Sequence, residues 1–340
     1  MPDLHRHIGR VVLGIVNSYL DHFSSAPTLG GTGVRAALAL AQAGIPNTVH
    51  LVSDNRVFRE LLPPQVQIIT TATKDTWEPH LIIQYPAGAK VDLEDGSIRS
   101  KSPNRIILVN DRPNELLEPS PQLPELFRKA NVVLVSGFNA MLDPTLTLNR
   151  TRQVTEALSE CNPRPIVFLE DAGYHLHSVL EAFHSGFKDV ADIHSMNEDE
   201  LQNYIDREID LLDPHSVRQA IEDVMPHVLA PTLVLHTRHF ALAHGQRAQI
   251  LRPSLAAGND LAGARYMFGD SITESALTNV QAAPHQSEAV EFARAFNAIE
   301  PDAVVVPARA LEPRTPTTIG LGDTFVAGVL GDLVTRNTHT

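Results

Sequence analysis

A single cysteine, Cys161, stands among 340 residues. An internal disulfide is therefore impossible, and no thiolate cluster can hold a metal. Positive charge is also short. There are 27 lysines and arginines against 40 aspartates and glutamates, for a net charge of −13. No basic run interrupts this balance, which argues against a nucleic-acid or anionic-membrane partner. No apolar stretch reaches the roughly 18 residues of a membrane span. Met1 to Arg10 is polar and histidine-containing, without the basic-then-apolar order of a secretory signal. The expectation is a soluble, cytoplasmic protein whose partners are small molecules.

Several motifs are missing as well. No Gly-x-x-x-x-Gly-Lys loop is present, which argues against a Walker-type nucleotide site. Ser136-Gly137 lacks the Gly-x-Ser-x-Gly frame of a hydrolase elbow, and Asp92 to Asp95 does not fit an EF-hand. The histidine pairs (His5 and His7, His175 and His177, His236 and His239) lack zinc-site spacing.

What the chain does have is an ordinary globular balance, 43% hydrophobic and 20% charged. That suffices for a substantial core, in one large domain or two moderate ones. Val11 to Val16 reads as a strand buried on both faces. Gly30-Gly31-Thr32-Gly33 then opens a helix over Val34 to Ala43 that stops at Gly44. Strand-then-helix pairs recur: Asn131 to Ser136 before a helix near Thr145 to Leu158, and Pro165 to Leu169 before one near Tyr174 to Phe183. Later strands are Thr232 to His236 and Ala303 to Val306, the last followed by a helix from about Asp323 to Val334. Such alternation predicts an α/β fold, a parallel sheet with helices on both faces, and ligands outside the C-terminal strand ends. One segment breaks the rhythm. His80 to Tyr85 and Arg105 to Val109 flank a polar stretch holding Asp95-Gly96, a hairpin signal. It predicts a small antiparallel excursion, either a lid over the strand ends or a surface hairpin.

Three short motifs carry chemistry. Gly320-Leu321-Gly322-Asp323 lies where a loop becomes the last helix. Its glycines permit tight backbone geometry, and the free N–H groups of the first helical turn make an anion hole. Asp323 is placed to take a proton from a hydroxyl that attacks phosphorus. The alternative is a turn followed by an acidic cap. Asn197 and Glu200 are three apart, so both can face one magnesium ion or one water; the alternative is a capping box. Glu170 ends the Pro165 to Leu169 strand, where sheet ligands gather, or is a surface carboxylate without a role.

Taken in order, these segments resemble the ADP-dependent glucokinase and phosphofructokinase family of the ribokinase-like superfamily. Thr318 to Gly328 is similar to that family's closing GxGD motif, and Met196 to Leu201 to its NxxE motif. Pro165 to Ala172 resembles its metal-site strand. Val234 to Thr237 resembles its HT strand, and His80 to Gly88 with Asn104 to Ile106 resembles its lid. Val133 to Met141 also fits. The resemblance implies a ribokinase-like three-layer α/β/α fold with a mostly parallel central sheet and a small β-containing lid. The large domain would comprise residues 1–13, 31–78 and 113–340, and the lid and sugar-binding domain residues 14–30 and 79–112.

It further implies Asp323 as general base, with Gly320, Leu321, Gly322 and Arg105 about the transferred phosphoryl group. Asn17, Asp21, Gly30 and Gly31 would bind sugar, and His236 and Thr237 the nucleotide. Glu170, Asn197 and Glu200 would serve Mg2+. The chain departs from the family pattern at Tyr19 and at Gln84, where a glutamate is common in the lid, and it is shorter than typical members. The implied reaction is phosphoryl transfer from ADP to glucose or fructose 6-phosphate. Two alternatives stand beside it: an ATP-dependent carbohydrate or nucleoside kinase, and a non-catalytic sugar- or nucleotide-binding protein on the same fold.

Overall fold

A computed structural model describes residues 18, 27–76, 79–101, 104–109, 111–313, 317 and 319–337. The strand expected over Val11 to Val16, and Asn17, Tyr19 and Asp21, lie outside the described residues. The central feature is a six-stranded sheet. Before it come two short strands, β1 (Asn47–Leu51) and β2 (Val66–Thr70), which pair in parallel, and the ribbon strands β3 (Leu81–Tyr85), β4 (Lys90–Leu93), β5 (Gly96–Arg99) and β6 (Asn104–Leu108). The sheet itself contains β7 (Val132–Val135), β8 (Ile166–Glu170), β9 (Ile193–Asn197), β10 (Thr232–His236), β11 (Phe240–Gly245) and β12 (Ala303–Pro307). They lie in that spatial order. β7 to β10 are parallel, whereas β11 is antiparallel to both β10 and β12.

Successive strand residues point to opposite faces, and the core divides accordingly. Phe168, Val234, Ala241, Ala243, Val304 and Val306 face one cluster with Leu255, Leu261, Phe325, Val326 and Val329. These partners come from helix Arg252–Phe268 and from the C-terminal helix Leu321–Asn337. Their strand neighbours face the other way. Val167 and Leu169 pack on Val154 and Phe183, while Leu233, Leu235, Phe240 and Val305 pack on Val217, Ile221, Phe292 and Phe296. Leu233, Val234 and Leu235 are all fully buried, as expected of strands covered on both sides. The result is the three-layer α/β/α arrangement of the ribokinase-like fold.

Helices expected near 145–158 and from 323 occur as Pro144–Ser159 and Leu321–Asn337. Asp143 starts the first by accepting from the N–H groups of Thr145 and Leu146, as an N-cap does. The helix expected near 174–183 begins later, at His177, because Leu176 is still extended. The C-terminal helix and helix Arg252–Phe268 approach very closely. A Cβ on Gly328 would lie 2.5 Å from the Ala257 carbonyl oxygen, and one on Gly258 would lie 2.6 Å from the Phe325 ring.

β3 and β6 pair antiparallel, with Gln84 opposite Arg105. Between them β4 and β5 form a second antiparallel hairpin, whose turn is Glu94-Asp95, one residue earlier than the Asp95-Gly96 signal suggested. Gly96 already pairs with Leu93. Among the described residues, no helix is long and apolar enough to cross a membrane.

Candidate active site

The C-terminal ends of β8, β9 and β10 meet the start of the C-terminal helix, and most of the expected residues converge there. Gly320 turns the chain into that helix with φ +70, a left-handed conformation open to glycine. Its carbonyl accepts from Thr324 N–H at 3.1 Å and from the Thr324 hydroxyl at 2.7 Å. Leu321, Gly322 and Asp323 follow in the first turn, where backbone N–H groups have no acceptor inside the helix.

Asp323 is half-buried, with the Thr32 side chain beside its carboxylate. Thr32 begins helix Thr32–Gln42 directly after Gly30 and Gly31, with Gly31 at its N-cap (φ 82). Among the described residues, a Cβ on either glycine would meet nothing within 4 Å. Burial raises the Asp323 pKa, and Glu170 adds to the effect. Thr32, Arg35 and His236 pull it down without reversing the direction.

Glu170 is buried at the end of β8. Its Oε1 accepts from His236 Nε2 at 3.0 Å, whereas its Oε2 is buried without a hydrogen-bond partner. Burial disfavours the His236 cation, but Glu170 outweighs it and the His236 pKa is raised. The His236 ring stacks on Phe325, with centroids 4.8 Å apart and planes at 29°. It also lies under Gly322, where a Cβ would be 3.1 Å from its Cε1. The polar edge facing β8 is thus used within the protein. Thr237 is similarly engaged. Its hydroxyl donates to the Phe240 carbonyl at 3.0 Å and accepts from the N–H groups of His239 and Phe240, which closes the β10–β11 turn.

Asn197 and Glu200 form a capping box at the start of helix Glu198–Tyr204. Asn197 Oδ1 accepts from Asp199 N–H at 2.8 Å and Glu200 N–H at 3.0 Å, and Glu200 Oε2 accepts from Asn197 N–H at 2.9 Å. The cap does not remove Glu200 from the cleft. Its pKa is pushed up to about 8, first by burial and then by Glu170. Two buried carboxylates that repel one another, one with an orphaned oxygen, fit a cation. Among the described residues no cluster of three or more His, Cys, Asp or Glu could cage a metal. Glu170 and Glu200 are oxygen donors, the kind that magnesium takes beside waters and phosphate oxygens.

Behind Glu170 lies a buried polar network. Asp171 Oδ2 accepts from the Tyr204 hydroxyl at 2.6 Å and from His194 Nε2 at 3.2 Å. His194 Nδ1 accepts from Leu229 N–H at 3.2 Å, so the proton of this imidazole sits on Nε2. Tyr204 ends the helix that Asn197 and Glu200 begin, and its bond to Asp171 fixes that helix against the strand carrying Glu170.

A second cluster underlies Gly320. The side chains of Arg35 and Arg265 are 2% and 5% exposed, and both donate to Asp270 Oδ1, Arg35 at 2.7 Å. Arg35 also donates to Thr28 Oγ1 at 2.6 Å, and Arg265 Nε to the Ile319 carbonyl at 2.7 Å. Sequence reading missed Thr32, Arg35, Arg265 and Asp270. The available signal was Arg35 itself, the only charge in the alanine- and leucine-rich Thr32–Gln42 segment, whose residues Val34 to Leu40 are all buried. Arg105 is placed elsewhere, exposed on the β3–β6 ribbon.

The conserved region of ADP-specific phosphofructokinases and glucokinases matches residues 19–331 of this chain. No curated protein sequence matches it. Among solved structures, an ADP-dependent kinase in complex with fructose-6-phosphate and ADPβS superposes with a TM-score of 0.78 at 14% identity, over 95% of this chain and 83% of that one. A phosphofructokinase from Pyrococcus horikoshii OT3 with AMP gives a TM-score of 0.73 at 18% identity, over 98% and 87%. The last common ancestor of ADP-dependent phosphofructokinases from Methanosarcinales gives 0.73 at 15%, over 90% and 76%. At these identities the superpositions establish a shared fold.

Proposed function

The chain belongs to the ADP-specific phosphofructokinase/glucokinase family, a family of phosphotransferases with an alcohol group as acceptor, and on that premise we propose that it transfers the terminal phosphoryl group of ADP to a hydroxyl of glucose or fructose 6-phosphate, with Asp323 as general base. One observation carries the reading. The Gly30-Gly31 loop and the Gly320 to Asp323 turn, far apart in sequence, meet where Thr32 stands beside Asp323. A sugar hydroxyl seated on the first loop would lie beside the base and in front of the free N–H groups of Leu321 to Asp323. Those groups are donors aimed at developing negative charge, the form of stabilisation that phosphoryl transfer uses most.

The acceptor hydroxyl gives its proton to Asp323 as its oxygen bonds to phosphorus. The bond from phosphorus to the bridging oxygen of ADP breaks, and that electron pair leaves with AMP. Thr32 orients the carboxylate throughout. Glu170 and Glu200 would hold Mg2+, with Asn197 fixing Glu200 through the cap. Held there, the ion would supply positive charge against the phosphate oxygens. His236 acts through Glu170 and Gly322, and Thr237 shapes the adjacent turn against which the nucleotide would lie.

Residues 14–30 and 79–112 form the lid and sugar-binding part, with Asn17 and Asp21 on sugar hydroxyls and Arg105 reaching phosphate on closure. Residues 1–13, 31–78 and 113–340 form the nucleotide-binding part. The reading places the enzyme in the cytoplasm, where the lone buried Cys161 stays reduced. The relative bound to fructose-6-phosphate and ADPβS supports both the donor and an acceptor of this class. The test is a phosphotransfer screen of glucose and fructose 6-phosphate against ADP and ATP with Mg2+. Turnover with ADP is expected. Turnover with ATP and none with ADP would overturn the assignment.

A further inference from the structure

Buried arginines are ordinarily matched by carboxylates, but beneath Gly320 the match is incomplete. One oxygen, Asp270 Oδ1, accepts from both Arg35 and Arg265, and the Asp270 side chain is itself 51% exposed. The other acceptors, the Thr28 hydroxyl and the Ile319 carbonyl, are neutral. Among the described residues, Arg35 and Arg265 thus share one directly bonded carboxylate, and Asp323 is the next carboxylate whose charge reaches Arg35. Arg35 Nε is buried with no hydrogen-bond partner. It lies 3.4 Å from where a Cβ on Gly320 would stand, as does Arg265 Nε. Both guanidiniums therefore press against the backbone that opens the C-terminal helix. Their mutual repulsion, together with burial, lowers the Arg35 pKa, a cost the fold accepts at this one turn.

We propose that Arg35 and Arg265 form a cationic buttress of the anion hole, fixing the Ile319-Gly320 turn and keeping behind the N–H groups of Leu321 to Asp323 a positive charge that Asp323 balances only while it is ionised. The proposal rests on the phosphoryl-transfer reading of the same site. Before reaction the Asp323 carboxylate balances the buttress. As the acceptor O–H bond breaks, its proton moves to Asp323, the acceptor oxygen bonds to phosphorus, and the bond to the leaving nucleotide breaks with its electron pair. Asp323 becomes neutral and the negative charge lies on the transferring group and the leaving oxygen, still opposite the buttress. A fixed cation in a site sheltered from water needs no reorganisation during this shift. Arg35 and Arg265 act through the turn and through the field, so they are positioning residues. The groups facing Asp323 are Thr32 and Arg35 from helix Thr32–Gln42, and Glu170 and His236 from the strand ends.

Three variants test this: Arg35→Gln, Arg35→Lys and Asp270→Asn. Arg35→Gln is expected to lower kcat about 100-fold with an unchanged KM for sugar, and Arg35→Lys to recover most of the loss. The acidic limb of the kcat profile should move to higher pH in Arg35→Gln, because Asp323 loses a cation that draws its pKa down. In Asp270→Asn it should move to lower pH. Calorimetric titration with pyrophosphate gives a readout independent of turnover, expected weaker for Arg35→Gln and tighter for Asp270→Asn. It separates this inference from the kinase reading, since it applies even if no sugar and nucleotide pair reacts. Equal losses in Arg35→Gln and Arg35→Lys that track the thermal midpoint, with an unmoved acidic limb, would mean a merely structural pair and overturn the proposal. So would unchanged pyrophosphate affinity in both Arg35→Gln and Asp270→Asn. If Arg35→Gln fails to fold, Asp270→Asn decides alone, since its side chain is half in solvent; no movement of limb or affinity overturns the idea.

Discussion

His236 donates to Glu170 at 3.0 Å across the end of β9, so two strands that are not neighbours in the sheet are tied where the cleft opens. Removing one partner of a buried pair strands the other. His236→Leu would leave both Glu170 oxygens without a donor. A loss of about 3–5 kcal/mol in unfolding free energy is expected, measured by urea denaturation.

Asp323→Asn keeps the shape of the first helical turn and removes the proton acceptor. The kcat should fall about 10²- to 10⁴-fold, while calorimetry finds nucleotide affinity little changed. Turnover equal to the parent enzyme would remove Asp323 from its role as base. Because burial raises the Asp323 pKa, the acidic limb of kcat in the parent enzyme should lie above the ordinary carboxylate range.

Glu200 predicts a pH effect on stability without Mg2+. Its folded pKa of about 8 exceeds the ordinary value of 4.5, so the folded state holds its proton more tightly than the unfolded state. The associated stability is present below the ordinary value and is lost as pH rises through about 8. Thermal melts between those limits should show this decline in the parent protein and its absence at this position in Glu200→Gln. Mg2+ should restore stability at the alkaline end in the parent only. Identical melts for both proteins across the range would contradict the repulsion between Glu200 and Glu170.

Tyr204→Phe removes the donor to Asp171 at 2.6 Å and leaves a buried carboxylate short of one partner. A loss of about 1–3 kcal/mol is expected, with the apparent Mg2+ requirement rising because helix Glu198–Tyr204 then loses its hydrogen bond to the segment that follows Glu170. Denaturation midpoints and Mg2+ titrations of activity give the two numbers.

The sequence announces its strands wherever they are continuously apolar, as in Thr232 to His236, whose bounds agree residue for residue with β10. It conceals β9, because His194 and Ser195 look like surface residues although both are fully buried. The polarity of His194 is answered by Asp171 and the Leu229 N–H, contacts that no local pattern encodes, whereas Ser195 Oγ is buried without a hydrogen-bond partner. It conceals β11 because a turn of three residues brings the chain back antiparallel beside β10. Near Asp323, the convergence of Glu170 and Glu200 was legible from short motifs, while Asn197 takes the capping-box alternative. Thr32, Arg265 and Asp270 were not legible, because each matters through a partner distant in sequence.

The contact between Gly328 and the Ala257-Gly258 backbone has a consequence for how such an enzyme can change. Where Gly328 meets Ala257 no side chain separates the two helices, so this crossing has little room for a slide or a rotation. Asp323, one turn from that crossing, is machined into the frame. A Gly328→Ala exchange would force the two helices apart and displace Asp323 with its helix, disturbing every reaction the enzyme performs rather than favouring one acceptor over another. New acceptors must therefore be acquired at the loops that approach the base, such as Gly30-Gly31, while the driving end of the machine stays as it is.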